Sequence, residues 1–217
     1  MLKPLSSDLF SAEHTLLSLG VNTMLLKGFV MPYEPTFNKA LTDTIQQAPF
    51  RSMVTRGGFK MSVAMSNCGD YGWISDRKGY RYSALDPLND KPWPSMPSSF
   101  FALASNAAAT AGFSNFVPDG CLINRYEIGA KMALHQDLDE QDFNQPIVSV
   151  SLGIAATFLF GGLTRTDKTQ RFLLEHGDVL VWGGVDRLKF HGVLPVKNSQ
   201  HSLLGNHRIN LTFRRAR

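Results

Sequence analysis

Ile147-Val148-Ser149-Val150-Ser151-Leu152 is a short run rich in β-branched residues, and it stops at Gly153. The same punctuation recurs outward from it. Thr157-Phe158-Leu159-Phe160 ends at Gly161-Gly162, and Asp178-Val179-Leu180-Val181-Trp182 ends at Gly183-Gly184. Arg208 to Arg214 closes the series. Strands of this length and spacing predict an antiparallel sandwich or barrel. The connections after residue 121 are too short for crossover helices, which disfavours a helix-flanked parallel sheet.

Upstream the pattern changes. Residues 36–48 read as a short helix after the Met31-Pro32-Tyr33 turn. Ser98-Ser99-Phe100-Phe101-Ala102-Leu103-Ala104 starts like a serine-capped helix, and Ala-rich sequence follows to Gly112. Small alanines predict a helix lying close on a sheet. Arg51 to Lys91 reads as loops and short strands carrying Phe59, Tyr71, Trp73, Tyr80 and Tyr82. The expectation is a β core in the C-terminal half, with a helical and loop-rich N-terminal region draped over it.

Composition excludes several classes. With 217 residues, 43% hydrophobic and 18% charged, the chain is neither disordered nor fibrous, and it can bury a full core. Cys68 and Cys121 are too few for a secreted disulfide framework and have no zinc-knuckle spacing, so reduced buried thiols are expected. Asp8 and Glu13 interrupt the apolar run that a signal peptide needs. Pro92 to Pro118 carries no charge, but its prolines and five serines make it a poor membrane span. A cytoplasmic protein without membrane attachment is expected. The net charge of +4 permits a polyanionic partner, and Arg51–Lys91, with seven basic and four acidic residues, carries most of it.

His135-Gln136-Asp137 is an H-x-D step, whose residues share one face if they lie in a strand. Two His and one carboxylate on one face of an octahedron leave three positions open, the arrangement of non-haem Fe(II) oxygenases. The third ligand can come from His176, His191, His201 or His207. His176-Gly177-Asp178 is a second H-x-D, but it reads as a turn. His201 and His207 flank a polar loop, whereas His191 lies 54 residues after Asp137, room enough for intervening strands. Arg208-Ile209-Asn210-Leu211-Thr212-Phe213-Arg214 alternates strictly. Its polar row either faces solvent or lines a pocket. In a pocket, an Arg fork suits the far carboxylate of a metal-chelating dicarboxylate.

Asn124-Arg125-Tyr126, His135-Gln136-Asp137, His191 and Arg208-x-Asn210-x-Thr212-Phe213-Arg214 together resemble the AlkB family of Fe(II)- and 2-oxoglutarate-dependent dioxygenases. The resemblance runs from about Phe50 to Arg214 and includes Met61-Ser62-Val63-Ala64-Met65 and Leu173-Leu174-Glu175-His176-Gly177-Asp178-Val179. It implies a mainly β (α+β) single domain with a double-stranded β-helix, or jelly-roll, core. Within it, residues 1–45 would be an N-terminal extension and helix, 46–91 a nucleotide-recognition lid, and 92–217 a helix plus the catalytic core. It implies Fe(II) on His135, Asp137 and His191, and 2-oxoglutarate held by Asn124, Tyr126, Arg208, Asn210 and Arg214. Trp73, Tyr80, Met65, Asp139 and Arg165 would meet the substrate, with Trp73 and the His135 imidazole sandwiching a flipped base. The implied reaction uses O2 to demethylate bases such as 1-methyladenine or 3-methylcytosine in single- or double-stranded DNA, and in RNA. Formaldehyde, succinate and CO2 are released. A monomer is expected. The competing readings are a 2-oxoglutarate dioxygenase acting on a protein or small molecule, and a non-catalytic jelly-roll binding module.

Overall fold

The computed structural model describes residues 15–217. The start of the expected N-terminal extension, with Asp8 and Glu13, lies outside the described residues. The order is β1 (Leu16–Ser18), β2 (Thr23–Leu26), α1 (Glu34–Gln47), β3 (Arg51–Val54), β4 (Lys60–Gly69), β5 (Gly72–Asp76), β6 (Gly79–Ser83), β7 (Leu85–Asp86) and β8 (Lys91–Pro92). Then follow α2 (Ser98–Thr110), β9 (Gly120–Tyr126), β10 (Met132–His135), β11 (Ile147–Gly153), β12 (Ala156–Phe160), β13 (Gln170–Leu174), β14 (Val179–Trp182), β15 (His191–Val193) and β16 (Arg208–Arg214).

Among the described residues, eight strands form one sheet in the order β1-β2-β14-β11-β16-β9-β4-β3, and four form a second in the order β10-β15-β12-β13. Every pairing is antiparallel. The alternation of the strands divides the interior in two. Val148, Val150, Leu152, Ile209, Leu211 and Phe213 pack outward against Phe37, Leu41, Phe100, Leu103 and the alanines of α2. Leu122, Tyr126, Ile147, Leu180 and Trp182 face the other way and meet Ala156, Phe158, Phe160 and Val193 of the small sheet. This is the expected jelly roll, with both helices on the outer face of the large sheet. Ala104, Ala107 and Ala108 are fully buried, so α2 lies close over β11 and β14.

At Gly153 the chain turns with φ +83°, and a Cβ there would stand 2.2 Å from the His207 carbonyl oxygen. Glycine is therefore demanded both by the left-handed backbone and by the close approach. His176 stays in its turn. Its Nδ1 accepts the Gly153 N–H at 3.0 Å and its Nε2 lies 2.8 Å from Glu34. Asp178 is buried beneath Lys27, which it meets at 2.6 Å. Cys68 and Cys121 are buried free thiols facing each other across β4 and β9.

One expectation is corrected, and one open alternative is decided. The serines do not cap α2: Pro97 is the N-cap residue, without a side-chain bond to the helix. A serine at the first helical position is one residue too late to reach the orphan N–H groups. Of the two readings of the polar row of β16, solvent face or pocket wall, solvent is excluded, because all seven of the strand's residues are buried. The Arg51–Lys91 segment is also built in two ways. Its first strands, β3 and β4, extend the large sheet, while β5 and β6 form a separate hairpin. Among the described residues no helix is long and apolar enough to cross a membrane.

Phe213 is fully buried and meets Phe100 edge-on at 6.0 Å, joining sheet to helix. Phe213→Ala should lower the unfolding free energy by about 3–5 kcal/mol, read from the urea midpoint. A loss under about 1 kcal/mol would contradict this packing.

Candidate metal and co-substrate site

β10 and β15 pair so that His135 stands directly opposite His191. Gly192 allows this approach, since a Cβ there would lie 2.7 Å from the Met132 carbonyl oxygen. The β10 strand ends at His135, so Asp137 reaches the site from the loop that follows rather than by strand alternation. The three side chains converge nonetheless. The two ring centroids are 4.4 Å apart, and Asp137 lies 3.7 Å from each Nε2. One donor atom from each residue falls within 4.8 Å of the others. No other group of His, Cys, Asp and Glu among the described residues does this.

The tautomers suit a cation. Each Nδ1 points at a backbone carbonyl, Ala133 for His135 at 2.9 Å and Lys189 for His191 at 3.0 Å. A carbonyl can only accept, so Nδ1 carries the proton and Nε2 presents its lone pair. Burial, reinforced by the neighbouring His135 charge, pushes the His191 pKa down to about 4 despite Asp137, which leaves a neutral imidazole at pH 7. Burial works against the Asp137 carboxylate, but the charges of Arg214, His191, His135 and Arg187 outweigh it and hold its pKa well below the usual range. The nearest charge is Arg214 Nη2, at 2.8 Å. A neutral His191 imidazole, the His135 imidazole beside it and an ionised Asp137 carboxylate form the donor types that an Fe(II) ion takes.

Beside the triad lies a cavity of about 610 Å³ between the two sheets. It is lined by Asn124, Tyr126, Asn210 and Arg214, by Met65, Trp73, Tyr80, Asp139 and Arg165, and by His135, Asp137 and His191. Of the residues assigned to metal, co-substrate or substrate, only Arg208 does not reach the wall. It sits behind Tyr126, its guanidinium 5.0 Å from that ring, and donates Nη2 to Ser151 Oγ at 3.0 Å. Its Nε and Nη1 are buried without a partner, as is Asn124 Oδ1. Unmet buried donors on a cation cost free energy unless an acceptor arrives. A carboxylate supplies that acceptor, so these residues fit a dicarboxylate. The register explains the grouping, since Arg208 faces Tyr126 and Asn210 faces Asn124 across β16 and β9. Asn210 is fixed by donating Nδ2 to Ser149 Oγ and the Val150 carbonyl.

At the cavity's other end, Trp73 stacks on Tyr80 with centroids 5.6 Å apart and donates Nε1 to Asp139 at 2.7 Å. Arg165 lies over the Phe190 ring at 5.4 Å. The sequence reading did not single out Phe158 and Trp182, which pack on His191 at 5.9 and 5.1 Å. It also missed Arg187, a fully buried arginine beside the Asp137 loop. Nothing local marks them: aromatic residues in strands read as core, and Arg187 reads as part of a polar loop.

The model of the 2OG-Fe(II) oxygenase superfamily matches residues 22–214. The chain is 52% identical over 210 residues to the alpha-ketoglutarate-dependent dioxygenase AlkB of Escherichia coli, covering 96% of this chain and 97% of that one. It is 33% identical over 165 residues to the DNA N(6)-methyladenine demethylase ALKBH1C of Arabidopsis thaliana, covering 64% of this chain and 36% of that one. The solved structure of OsALKBH1 superposes with a TM-score of 0.79 at 30% identity, covering 93% of this chain and all of that one. The chain is thus a 2OG-Fe(II) oxygenase, with Fe(II) as cofactor and 2-oxoglutarate and O2 as co-substrates. Within that superfamily it belongs to the AlkB family.

The His191 shift has a sign that can be tested. The unfolded imidazole takes its proton near 6.5 and the folded one only near 4. The stability this group contributes is full above pH 6.5 and is lost as pH falls towards 4. The metal-free protein should therefore unfold at lower urea at pH 5 than at pH 7. His191→Gln should flatten that dependence, and an equally steep dependence in the variant would contradict the assignment.

Proposed function

We propose that this protein demethylates N-alkylated bases in nucleic acid, 1-methyladenine and 3-methylcytosine among them. Alkylated DNA is the main substrate, single- or double-stranded, and RNA a further one. The observation that carries the reading is the union, in one cavity, of the His135–Asp137–His191 triad with the Trp73 and Tyr80 rings and the Asp139 carboxylate. The Arabidopsis relative's name, that of a DNA methyladenine demethylase, supports it.

His135, Asp137 and His191 would hold Fe(II). Arg208 would meet the far carboxylate of 2-oxoglutarate with its open N–H donors, assisted by Tyr126, Asn124 and Asn210. Arg214 would stand nearer the metal. Bound Fe(II), with 2-oxoglutarate and O2, supplies the oxidising power to hydroxylate the N-methyl carbon, with succinate and CO2 leaving and formaldehyde released from the adduct. The chain's own work is orientation and exclusion of water. A base must leave its stack to enter, and Trp73 and the His135 ring would take its two faces, with Met65 at its edge. These lesions are cationic, so the Asp139 carboxylate gives electrostatic preference for damaged over normal bases. The β5–β6 hairpin, with Trp73 and Tyr80, would act with the rest of residues 46–91 as the lid, and Arg165 would grip the strand. We assign the cytoplasm as its place and a monomer as its working form.

Incubation with Fe(II), 2-oxoglutarate, ascorbate and a 1-methyladenine oligonucleotide should yield formaldehyde and adenine. Succinate release only with a protein or small-molecule substrate would favour the competing hydroxylase reading. His135→Ala and His191→Ala should abolish turnover and His176→Ala should not; the opposite pattern would overturn the ligand assignment. Arg208→Ala should raise the 2-oxoglutarate requirement by about ten- to hundredfold, the loss of a charged hydrogen-bonded pair. An unchanged requirement would discredit the carboxylate clamp.

A further inference from the structure

Residues 136–146 form neither helix nor strand, yet they carry Asp137. A ligand on an irregular loop needs an outside constraint to keep its aim. Arg187 supplies one. It follows the short helical turn Gly184–Asp186, four residues before His191, and is 2% exposed.

Its guanidinium grips the loop along its length. Nη1 donates to the Asp137 carbonyl at 3.0 Å, Nη2 to Glu140 Oε2 at 3.0 Å, and Nε to the Gln145 carbonyl at 3.1 Å. The plane lies over Phe143 at 5.5 Å. A second strap runs the other way, from Gln136 Nε2 to the Leu188 carbonyl at 2.6 Å. Glu140 is also buried. Its other oxygen accepts from Tyr82 Oη at 2.7 Å and meets Arg214 Nε at 3.3 Å. One side chain therefore locks the segment bearing Asp137 to the segment bearing His191.

We propose that Arg187, with Glu140 as its anchor, is a positioning residue for the metal site: its fork fixes the Asp137 main chain and so the direction of the carboxylate. The inference rests on the ligand assignment above. Arginine reaches the three separated acceptors with three coplanar nitrogens, whereas an ammonium carries its N–H donors on one nitrogen and cannot span them. Partners that orient a ligand typically contribute ten- to hundredfold to metal affinity.

The test titrates the whole chain with Mn(II) and follows free ion by electron paramagnetic resonance, without co-substrate. Arg187→Lys keeps the charge and should weaken Mn(II) binding by about ten- to hundredfold, with near-ultraviolet circular dichroism unchanged. Leu103→Ala thins the core beneath α2, away from this loop, and serves as a control for stability loss alone. It should bind Mn(II) like the wild type. If Arg187→Lys fails to fold, Glu140→Gln decides, because it leaves Arg187 an acceptor but removes the anchoring charge. It should weaken binding by a smaller factor. Wild-type affinity in a folded Arg187→Lys, or in Glu140→Gln where the first variant fails to fold, would overturn the proposal. A comparable loss in Leu103→Ala would also overturn it. A wild-type chain that binds no Mn(II) would overturn the metal assignment itself.

Discussion

Burial of the polar face of β16 is the constraint on which the rest depends. Arg208, Asn210, Thr212 and Arg214 all turn into the gap between the two sheets. A guanidinium in such a place costs several kcal/mol unless it is paired and hydrogen-bonded. Arg214 meets that condition through Asp137 and Glu140. Arg208 does not, since two of its nitrogens have no partner. The fold holds one arginine satisfied beside the metal ligands and another open behind Tyr126. That asymmetry separates a charge satisfied by the site's own carboxylates from one left with open donors.

The same economy runs through the metal ligands. Three groups of unlike electrostatic demand sit within one site. Burial keeps His191 neutral, and surrounding cations keep Asp137 ionised. Backbone carbonyls choose the tautomers of both imidazoles. None of these devices involves the reacting groups themselves. They fix protonation and direction before a cation arrives, which is the protein's contribution when a cofactor carries the chemistry.

How much of this was legible in the sequence depended on the range of the interaction. The antiparallel strands were readable because glycine punctuation and β-branched runs are local signals. The alternation of β16 gave its two faces but not that the polar one is buried as well, because that depends on the second sheet lying across it. The H-x-D step was readable, although the strand ends at His135 and a loop delivers Asp137. Ser98 looked like a cap and was not, since the helix begins one residue earlier than its side chain could serve. From the residues alone His191 was one of four candidate histidines; its pairing opposite His135 is a tertiary fact. Arg187 left no sequence signal, for its partners are two main-chain carbonyls 42 and 50 residues away and the Glu140 carboxylate 47 residues away.

The proposed function requires one Fe(II) centre per chain, its open positions shared with a 2-oxoglutarate that reaches Arg208. The direct test is anaerobic titration of the Fe(II)-loaded protein with 2-oxoglutarate, followed by visible absorption. A charge-transfer band that needs both components and saturates at one equivalent per chain is expected. Succinate, which lacks the chelating keto acid, should give no such band. No band with 2-oxoglutarate, or an equal band in the absence of the protein, would overturn the shared centre.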